Sequence, residues 1–317
     1  MYDTPQRQEL SMQEKAIITL LSILMYLGAA CVSAEGSAKQ RYLNPVFDAY
    51  NKVSNVVYAN KFNAFSNQRE ALTMRIFEPK NDAELKRPLV ILTPGGGFVK
   101  HDDNWMDDFG IELAKAGYVI AINRYRLSAG VGTPELFFNA VSKSVSDQRS
   151  VIEYFVNDNN DGNRYNVDLD LVFVGGHSAG AITSMFVAYT DASDDIPESL
   201  QKKFKEQSLS FVSTEQKKEF TIKGVVNMSG LIIDLALIDV GEPALLSIHG
   251  ERDTVIRFDR KDAGFAATVI AEHVQKIGVA NMLYVIPGGD HLTPADPLAC
   301  PECIPLMKRF MFNKINF

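Results

Sequence analysis

Short apolar runs alternate along this chain with longer stretches in which apolar residues recur at helical spacing. A continuous apolar run is typical of a strand that is buried on both faces. Such runs occupy 88–93 (PLVILT), 118–123 (YVIAIN), 170–175 (DLVFVG), 223–228 (KGVVNM), 244–249 (ALLSIH) and 282–286 (MLYVI). Because strands that alternate with helices pair in parallel and carry helices on both faces, the sequence predicts an α/β fold with a mostly parallel central sheet.

The stretches between the apolar runs predict the helices of this fold. They span residues 105–117, 134–157, 179–189, 260–277 and 305–316. The first of them should end at Gly117, since glycine readily adopts the left-handed backbone conformation that ends a helix.

The N-terminal part of the pattern is different. Residues 42–62 predict a short helix that leads into a strand, and residues 71–79 alternate as a half-buried strand does. A turn at Asn67-Gln68 would join the two strands. We therefore expect an antiparallel hairpin at the N-terminal edge of the sheet.

Size and composition are consistent with one large domain. The chain has 317 residues, 46% of them hydrophobic, and it contains no internal repeat and no evident linker. We expect residues 35–317 to form a single domain. Residues 191–220 are polar and rich in Lys and Glu, and we interpret them as a helical insertion. This insertion either covers part of an active site or is a solvated excursion from the surface.

The charge balance argues against one class of partner. The formal net charge is −7, from 32 basic and 39 acidic residues. Proteins that bind nucleic acid need clustered Lys and Arg to contact phosphates. We therefore expect no nucleic-acid partner.

The first residues have the layout of a secretory signal peptide. Residues 16–30 are apolar without a charge, Lys15 precedes them, and Val32-Ser33-Ala34 offers a cleavage site. We expect residues 1–34 to be removed, with Met12 as an alternative true start. The mature protein would then be periplasmic or extracellular, with no stable membrane insertion. The alternative is that residues 16–34 remain as a membrane anchor.

Removal of this leader would leave two cysteines, Cys300 and Cys303. In an exported protein such a pair is typical of a disulfide. The Cys-x-x-Cys spacing also matches a thioredoxin-type redox motif, but that motif follows the first strand of a small fold. A zinc site would need further ligands nearby, so we expect no metal. The pair is interpreted as a structural disulfide or as inert thiols.

The strongest local motif is Gly176-His177-Ser178-Ala179-Gly180. It follows a predicted buried strand and begins a predicted helix, the context of a nucleophile elbow. Glycines on either side of the serine allow close approach of neighbouring elements, and the helix N-terminus stabilises negative charge. Ser178 is therefore the candidate nucleophile. The alternative is a small-residue turn that only packs closely.

Attack by a serine on an ester produces an oxyanion, which needs N–H donors already in place. One donor would be Ala179, the residue after the candidate nucleophile. Three glycines that follow the strand at 88–93 offer the others, and we favour Gly96 and Gly97 while leaving Gly95 open. A phosphate-binding loop is the competing interpretation, but no Gly-Lys-Ser/Thr follows.

The general base should be one of five histidines. His291 lies in Gly288-Gly289-Asp290-His291, just beyond the last predicted strand, at the sheet edge where such sites form. The side chain of His177 should point away from the serine beside it. The remaining candidates have other expected roles: His101 could line the pocket, His249 should shape a loop, and His273 lies within a helix.

The acid that orients the base is expected after the preceding strand, in His249-Gly250-Glu251-Arg252-Asp253. Asp253 is favoured because the apolar residues that follow it would return the chain to the core. Glu251 is the second candidate. Asp290 is nearby, but its adjacency to His291 suits it poorly for bonding the ring.

These motifs together resemble the α/β-hydrolase superfamily, in particular a secreted carboxylesterase or lipase-like member related to hormone-sensitive lipase. The resemblance runs from about Arg87 to the C-terminus. The motifs that carry it are PGGGF at 94–98, RYRL at 124–127, YNVD at 165–168, GHSAG, HGERD and GGDH. The order Ser178, Asp253, His291 is that of α/β-hydrolases. One departure is Pro94, where the group usually has His before the glycines. Because residues 35–70 are short and partly strand-like, we also expect the group's large N-terminal cap to be absent.

The resemblance implies a serine hydrolase that cleaves carboxylic esters through an acyl-enzyme, without a cofactor. Its substrates would be small or polymeric: esters with short or medium acyl chains, or aryl, feruloyl or acetyl esters. One alternative is an amidase or peptidase on the same fold. Another is a protein that keeps the hydrolase fold and only binds.

Overall fold

The sheet has the strand order β1-β2-β4-β3-β5-β6-β7-β8. The structure is a computed structural model that describes residues 40–103, 105–191, 194–207 and 219–315. β1 pairs antiparallel with β2 and β2 antiparallel with β4, whereas all other neighbours pair in parallel. The predicted α/β class with an antiparallel N-terminal edge is therefore confirmed.

The eight strands occupy the following ranges: β1 Tyr50–Asn63, β2 Gln68–Pro79, β3 Arg87–Thr93, β4 Val119–Asn123, β5 Val167–His177, β6 Ile222–Met228, β7 Ala244–Gly250 and β8 Asn281–Ile286. The helices have these bounds: α1 Met106–Ala116, α2 Pro134–Asn160, α3 Ala179–Tyr189, α4 Glu198–Glu206, α5 Ala267–Lys276 and α6 Cys303–Ile315. Short 3₁₀ turns lie at Leu235–Leu237 and Thr293–Ala295.

The central strands are apolar throughout because helices cover both of their faces. Every residue of β3, β4 and β7 is buried. One face of the sheet packs against α2, α3, α4 and α5, and the other against α1 and α6. Residues Gln40–Phe317 form one compact unit.

The N-terminal hairpin differs in one respect from the prediction. Asn67, with φ 55°, lies in the turn between β1 and β2, as expected. The prediction of a short helix before β1 is wrong, because the chain forms turns there. The reason is tertiary: the N–H of Tyr42 donates to Ala116 O, and the N–H groups of Val46 and Phe47 donate to Lys115 O.

The helices follow the sequence signals at most of their ends. Gly117 ends α1 with φ 113°, and the Thr133 side chain accepts a hydrogen bond from Leu136 N at the start of α2. The helix predicted from 260 begins only at Ala267. It starts late because Phe265 forms a two-way backbone bridge with Ile232, which holds the preceding residues in an extended path.

Part of the polar segment at 191–220 is described. It contains α4, which buries Leu200 and Phe204, and the ring of Phe204 stacks edge-on against Phe186 at 6.3 Å. Residues 192–193 and 208–218 of the insertion lie outside the described residues.

A disulfide joins Cys300 to Cys303, the first residue of α6, and both residues are fully buried. Among the described residues, no helix combines the length and apolarity needed to cross a bilayer. The expected signal peptide at 1–34, and the alternative anchor at 16–34, lie outside the described residues.

Candidate active site

Three strands of the parallel sheet end at the same edge and bring three predicted residues to it. Ser178 follows β5, Asp253 lies beyond β7, and His291 lies beyond β8. The carboxyl ends of parallel strands are where ligand sites form in such sheets. The structure therefore brings together residues that are separated by 113 positions in sequence.

Ser178 lies in a strained turn between β5 and α3. Its backbone has φ 52° and ψ −117°, a region that residues with a Cβ rarely adopt. The Ser178 N–H donates to Met228 O at 2.8 Å, which fixes the turn to the end of β6. A Cβ at Gly176 or at Gly180 would overlap the carbonyl oxygen of Thr93. The two glycines of the motif are therefore required by the approach of β3.

A continuous hydrogen-bond chain connects the three side chains. Ser178 Oγ lies 2.9 Å from His291 Nε2, and His291 Nδ1 lies 2.7 Å from Asp253 Oδ2. Because an ionised carboxylate only accepts, His291 carries its proton on Nδ1 and presents the Nε2 lone pair to the serine hydroxyl. This arrangement can remove a proton from Ser178.

Asp253 is held as a buried carboxylate. Its side chain is inaccessible to solvent, and its Oδ1 accepts hydrogen bonds from the N–H groups of Val255 and Ile256, both at 2.8 Å. Burial by itself would raise the pKa of this carboxyl. Hydrogen bonds from two histidines and a backbone N–H outweigh burial and hold the pKa well below its ordinary value of 3.8.

The other acidic candidates have different contacts. Glu251 Oε2 accepts a hydrogen bond from Gly288 N at 2.7 Å, so it supports the loop that carries His291. Asp290 Oδ1 accepts from the N–H groups of Leu292 and Thr293, and so bends the chain just after His291. Neither carboxyl is the partner of the His291 ring, which bonds Asp253.

The remaining histidines are bonded to backbone carbonyls. His101 Nε2 lies 2.7 Å from Tyr125 O, and His273 Nε2 lies 3.4 Å from Ile238 O. The ring of His177 is buried, and its Nε2 lies 2.7 Å from His291 O. His249 contacts the loop after β7, at Ile256 O.

The glycine loop after β3 runs alongside the candidate nucleophile. A Cβ at Gly95 would lie 3.3 Å from the Cβ of Ser178, so the two backbones are in near contact. Gly96 and Gly97 have positive φ angles of 115° and 61°, and a Cβ at Gly97 would meet nothing within 4 Å. The loop therefore depends on glycine conformations and has open space beside Gly97.

Two aromatic residues that the sequence did not single out hold this loop. Tyr125 is buried, and its hydroxyl lies 3.2 Å from Gly95 O. Phe98 has φ 63°, its carbonyl accepts from Ser128 N at 2.8 Å, and its ring stacks edge-on against Tyr125. Tyr125 lies in the motif RYRL, but only the fold shows which loop it contacts.

No three His, Cys, Asp or Glu side chains in the described parts of the chain are grouped so that they could hold a metal ion.

Comparison with solved structures shows the same fold in several esterases. Esterase 2 of Thermogutta terrifontis phosphonylated by cyclosarin is 17% identical, with a TM-score of 0.61 over 86% of this chain and 97% of that chain. The propionate-bound form from this planctomycete is 17% identical, with a TM-score of 0.59 over 82% and 93%. A truncated carbohydrate esterase from gut microbiota is also 17% identical, with a TM-score of 0.58 over 86% and 98%.

Among curated proteins, none matches the chain. The model of one protein family, BD-FAE, matches residues 74–242. This range runs from β2 through the glycine loop and the nucleophile elbow to the residues before β7. The chain therefore belongs to the BD-FAE family, an α/β-hydrolase family of esterases.

Proposed function

We propose that the protein hydrolyses carboxylic esters with Ser178 as nucleophile, His291 as general base and Asp253 as the acid that orients the base. The observation that carries this proposal is the hydrogen-bond chain of 2.9 Å and 2.7 Å through the His291 ring. Both distances lie within the reach needed for proton transfer. The strained backbone of Ser178 supports the assignment, because such strain concentrates at functional sites.

The reaction proceeds in two steps. Ser178 Oγ bonds to the ester carbonyl carbon while its proton passes to His291 Nε2. The tetrahedral intermediate then collapses, the C–O bond to the alcohol breaks, and His291 returns the proton to the departing alkoxide. A water molecule next gives a proton to His291 and attacks the acyl-enzyme. Collapse releases the carboxylic acid and restores the hydroxyl of Ser178.

We assign the oxyanion donors to the N–H groups of Ala179, Gly96 and Gly97. Ala179 begins α3, where the unpaired N–H groups of the helix favour negative charge. Within the described residues, no protein group accepts a hydrogen bond from Gly96 N or Gly97 N. Their donors therefore remain for a substrate oxygen beside Ser178.

Asp253 would act by keeping its negative charge throughout the reaction. When His291 gains the serine proton, the carboxylate 2.7 Å away stabilises the imidazolium. Because its pKa lies well below the ordinary range, the carboxylate of Asp253 stays ionised near neutral pH.

For the substrate we propose esters with short or medium acyl chains, or aryl, feruloyl or acetyl esters. The structural relatives include one with bound propionate and one that is a carbohydrate esterase. Val99 and Leu292 lie next to the glycine loop and the base, and both are partly exposed, at 46% and 40%. We propose that these two side chains contact the acyl group of the substrate.

The test is hydrolysis of p-nitrophenyl esters from acetate to palmitate by the full chain, with Ser178→Ala as the control. We expect activity that is lost in the variant, and labelling of the wild type by a fluorophosphonate probe. Faster cleavage of a matched p-nitroanilide would favour an amidase or peptidase. A folded wild type that neither turns over esters nor reacts with the probe would leave a binding protein.

We further propose that the protein is exported after removal of residues 1–34. The support is the uncharged apolar segment followed by small residues. N-terminal sequencing of the protein from the producing cells tests this, and an intact N-terminus in the membrane fraction would instead support an anchor.

A further inference from the structure

Two fully enclosed histidines flank the His291–Asp253 pair, and the reaction as proposed leaves both without a role. His249 contacts the side chain of Asp253, and His177 contacts the backbone of His291. We propose that His249 and His177 are positioning residues, which hold the acid and the base of the site through their Nε2–H groups. This inference rests on the proposed function.

The ring of His249 contacts the same carboxylate oxygen of Asp253 as the ring of His291 does. His249 Nε2 lies 2.7 Å from Ile256 O and 3.1 Å from Asp253 Oδ2. Both partners are oxygens that only accept, so the proton of His249 is on Nε2 and is shared between them. Asp253 Oδ2 therefore receives one N–H from each of two histidines.

The other nitrogen of His249 is a cost to the fold. Nδ1 is buried and has no hydrogen-bond partner among the described residues. An unpaired buried polar atom destabilises the folded state, and an apolar side chain of similar size would avoid that loss. The cost of the unpaired Nδ1 is explained if the Nε2–H group of His249 serves to hold Asp253.

His177 has the corresponding relation to the base. Its Nε2 lies 2.7 Å from His291 O, and the two rings are 4.9 Å apart between centroids. Since a carbonyl oxygen only accepts, His177 also carries its proton on Nε2. Gly95 is needed for this packing, because a Cβ there would lie 2.6 Å from His177 Nδ1.

The ring of His177 can act as a donor without adding charge. Burial first, and the charge of His291 as a further cause, lower the pKa of His177 to about 4. A neutral His177 does not repel the imidazolium that forms on His291. The charged groups that act on His177 and His291 are then two carboxylates. They are Asp253, which lies beside the His291 ring, and Asp102, whose negative charge also acts on His177.

Substitution with glutamine or with asparagine separates the effect of the Nε2–H hydrogen bond from the effect of side-chain shape. Glutamine places its NH₂ near the position of Nε2, whereas asparagine places its NH₂ near Nδ1. We therefore compare His249→Gln with His249→Asn, and His177→Gln with His177→Asn. The matched control is His273→Asn with His273→Gln, on the helix α5 and outside the proposed site.

We expect kcat to fall about tenfold in each Asn variant at unchanged KM, and the Gln variants to regain most of it. In His249→Asn the acidic limb of kcat/KM should also move to lower pH, because a displaced carboxylate stabilises the imidazolium less. In His177→Asn the acidic limb of kcat/KM should stay at the same pH as in the wild type, since the contact between His249 and Asp253 remains. The His273 variants should match the wild type.

Equal activity of the Asn and Gln variants would overturn the proposal, because both rings would then serve only packing. A wild type that the fluorophosphonate probe does not label would instead overturn the proposed function, so the two failures are distinguishable. A second measurement needs no variant to fold. In ¹⁵N-histidine-labelled wild type, assigned two-bond ¹H–¹⁵N spectra should show the rings of His177 and His249 as Nε2–H tautomers. Finding Nδ1–H on both would also refute it.

Discussion

Gly180, two residues after the candidate nucleophile, lies so close to Thr93 at the end of β3 that a Cβ would overlap the Thr93 carbonyl oxygen. A Cβ at Gly176 would overlap the same oxygen. The helix α3 is thus seated directly on β3, and this contact places Ser178 next to the glycine loop. Both positions of the motif must be glycine because each of them lies against the Thr93 carbonyl group.

Replacing Gly180 with alanine should therefore prevent the elbow from closing. The overlap is with backbone, which cannot move aside as a flexible side chain could. We expect Gly180→Ala to lose at least a hundredfold in ester hydrolysis and to unfold at lower temperature, as measured by p-nitrophenyl ester assays and circular dichroism. Gly130→Ala is the control, because a Cβ there meets nothing within 4 Å. A fully active Gly180→Ala variant would show that the backbone of β3 can move to make room for the added Cβ.

The strained backbone of Ser178 should make the wild type less stable than a glycine variant. Positive φ for a residue with a Cβ costs on the order of 1–3 kcal/mol, and the greater freedom of glycine in the unfolded chain offsets part of this. We expect Ser178→Gly to exceed Ser178→Ala by about 1 kcal/mol in the free energy of unfolding. Both variants lack the hydroxyl, so urea titration of the two isolates the strain. Equal midpoints would argue that the turn is relaxed.

A buried ion pair should stabilise the segment that follows β4. Arg126 Nη2 lies 2.7 Å from Asp147 Oδ1, and the Asp147 side chain has no exposed surface. Removing one partner leaves the other charge buried and unpaired, so Asp147→Ala should lose about 3–5 kcal/mol in urea titration. Asp259→Ala removes an exposed pair with Arg257 and should change stability by less than about 1 kcal/mol. Similar losses in the two variants would contradict this account.

Glu242 should make the protein less stable as pH rises. Burial first, and then nearby acidic groups such as Asp194, raise its pKa from 4.5 to about 8. The folded state therefore binds more protons than the unfolded state between these values, and the stability present below pH 4.5 is lost as pH rises to 8.

Glu242→Gln removes this dependence, so we expect its Tm to exceed that of the wild type by about 2 °C above pH 8 and to approach it near pH 4. Differential scanning calorimetry across this pH range measures the effect. Glu272→Gln, at an exposed position of α5, is the control. A Tm difference that does not change with pH would refute the role of the Glu242 charge.

The disulfide should contribute less to stability than one that closes a long loop. Cys300 and Cys303 are separated by only three positions, so their bond closes a very short loop. From loop length alone, its loss should cost about 2 kcal/mol. We expect Cys300→Ala with Cys303→Ala to lower the urea midpoint slightly and to leave kcat unchanged. A large fall in kcat would mean that this disulfide supports the loop that carries His291.

The sequence predicted the central sheet well, because strands covered on both faces must be apolar at every position. β3 and β4 are buried throughout, and the run that predicts each of them is continuous. The sequence did not predict the local path of the chain where backbone groups distant in sequence determine that path. The helix expected at 260 begins at Ala267 because Phe265 bonds Ile232, and nothing in the residues around 260 indicates that partner.

The candidate site shows the same division. Local sequence identified the elbow, since glycines on both sides of a serine, between a buried strand and a helix, are typical of a tight turn that exposes the hydroxyl. The contacts of His177 with His291 and of His249 with Asp253 were not predicted, although His249 lies four residues before Asp253. Their partners are backbone and carboxylate oxygens, and such contacts leave no pattern in residue type.

The sequence by itself therefore determined the α/β architecture, the edge of the sheet that carries the site and the strained serine turn. These features follow from burial and backbone geometry over a few residues. Only the tertiary structure decided that Asp253, rather than Glu251, meets His291, and that Tyr125 holds the glycine loop. Those contacts depend on distances between groups far apart in the chain, and these distances are fixed only when the helices pack against the sheet.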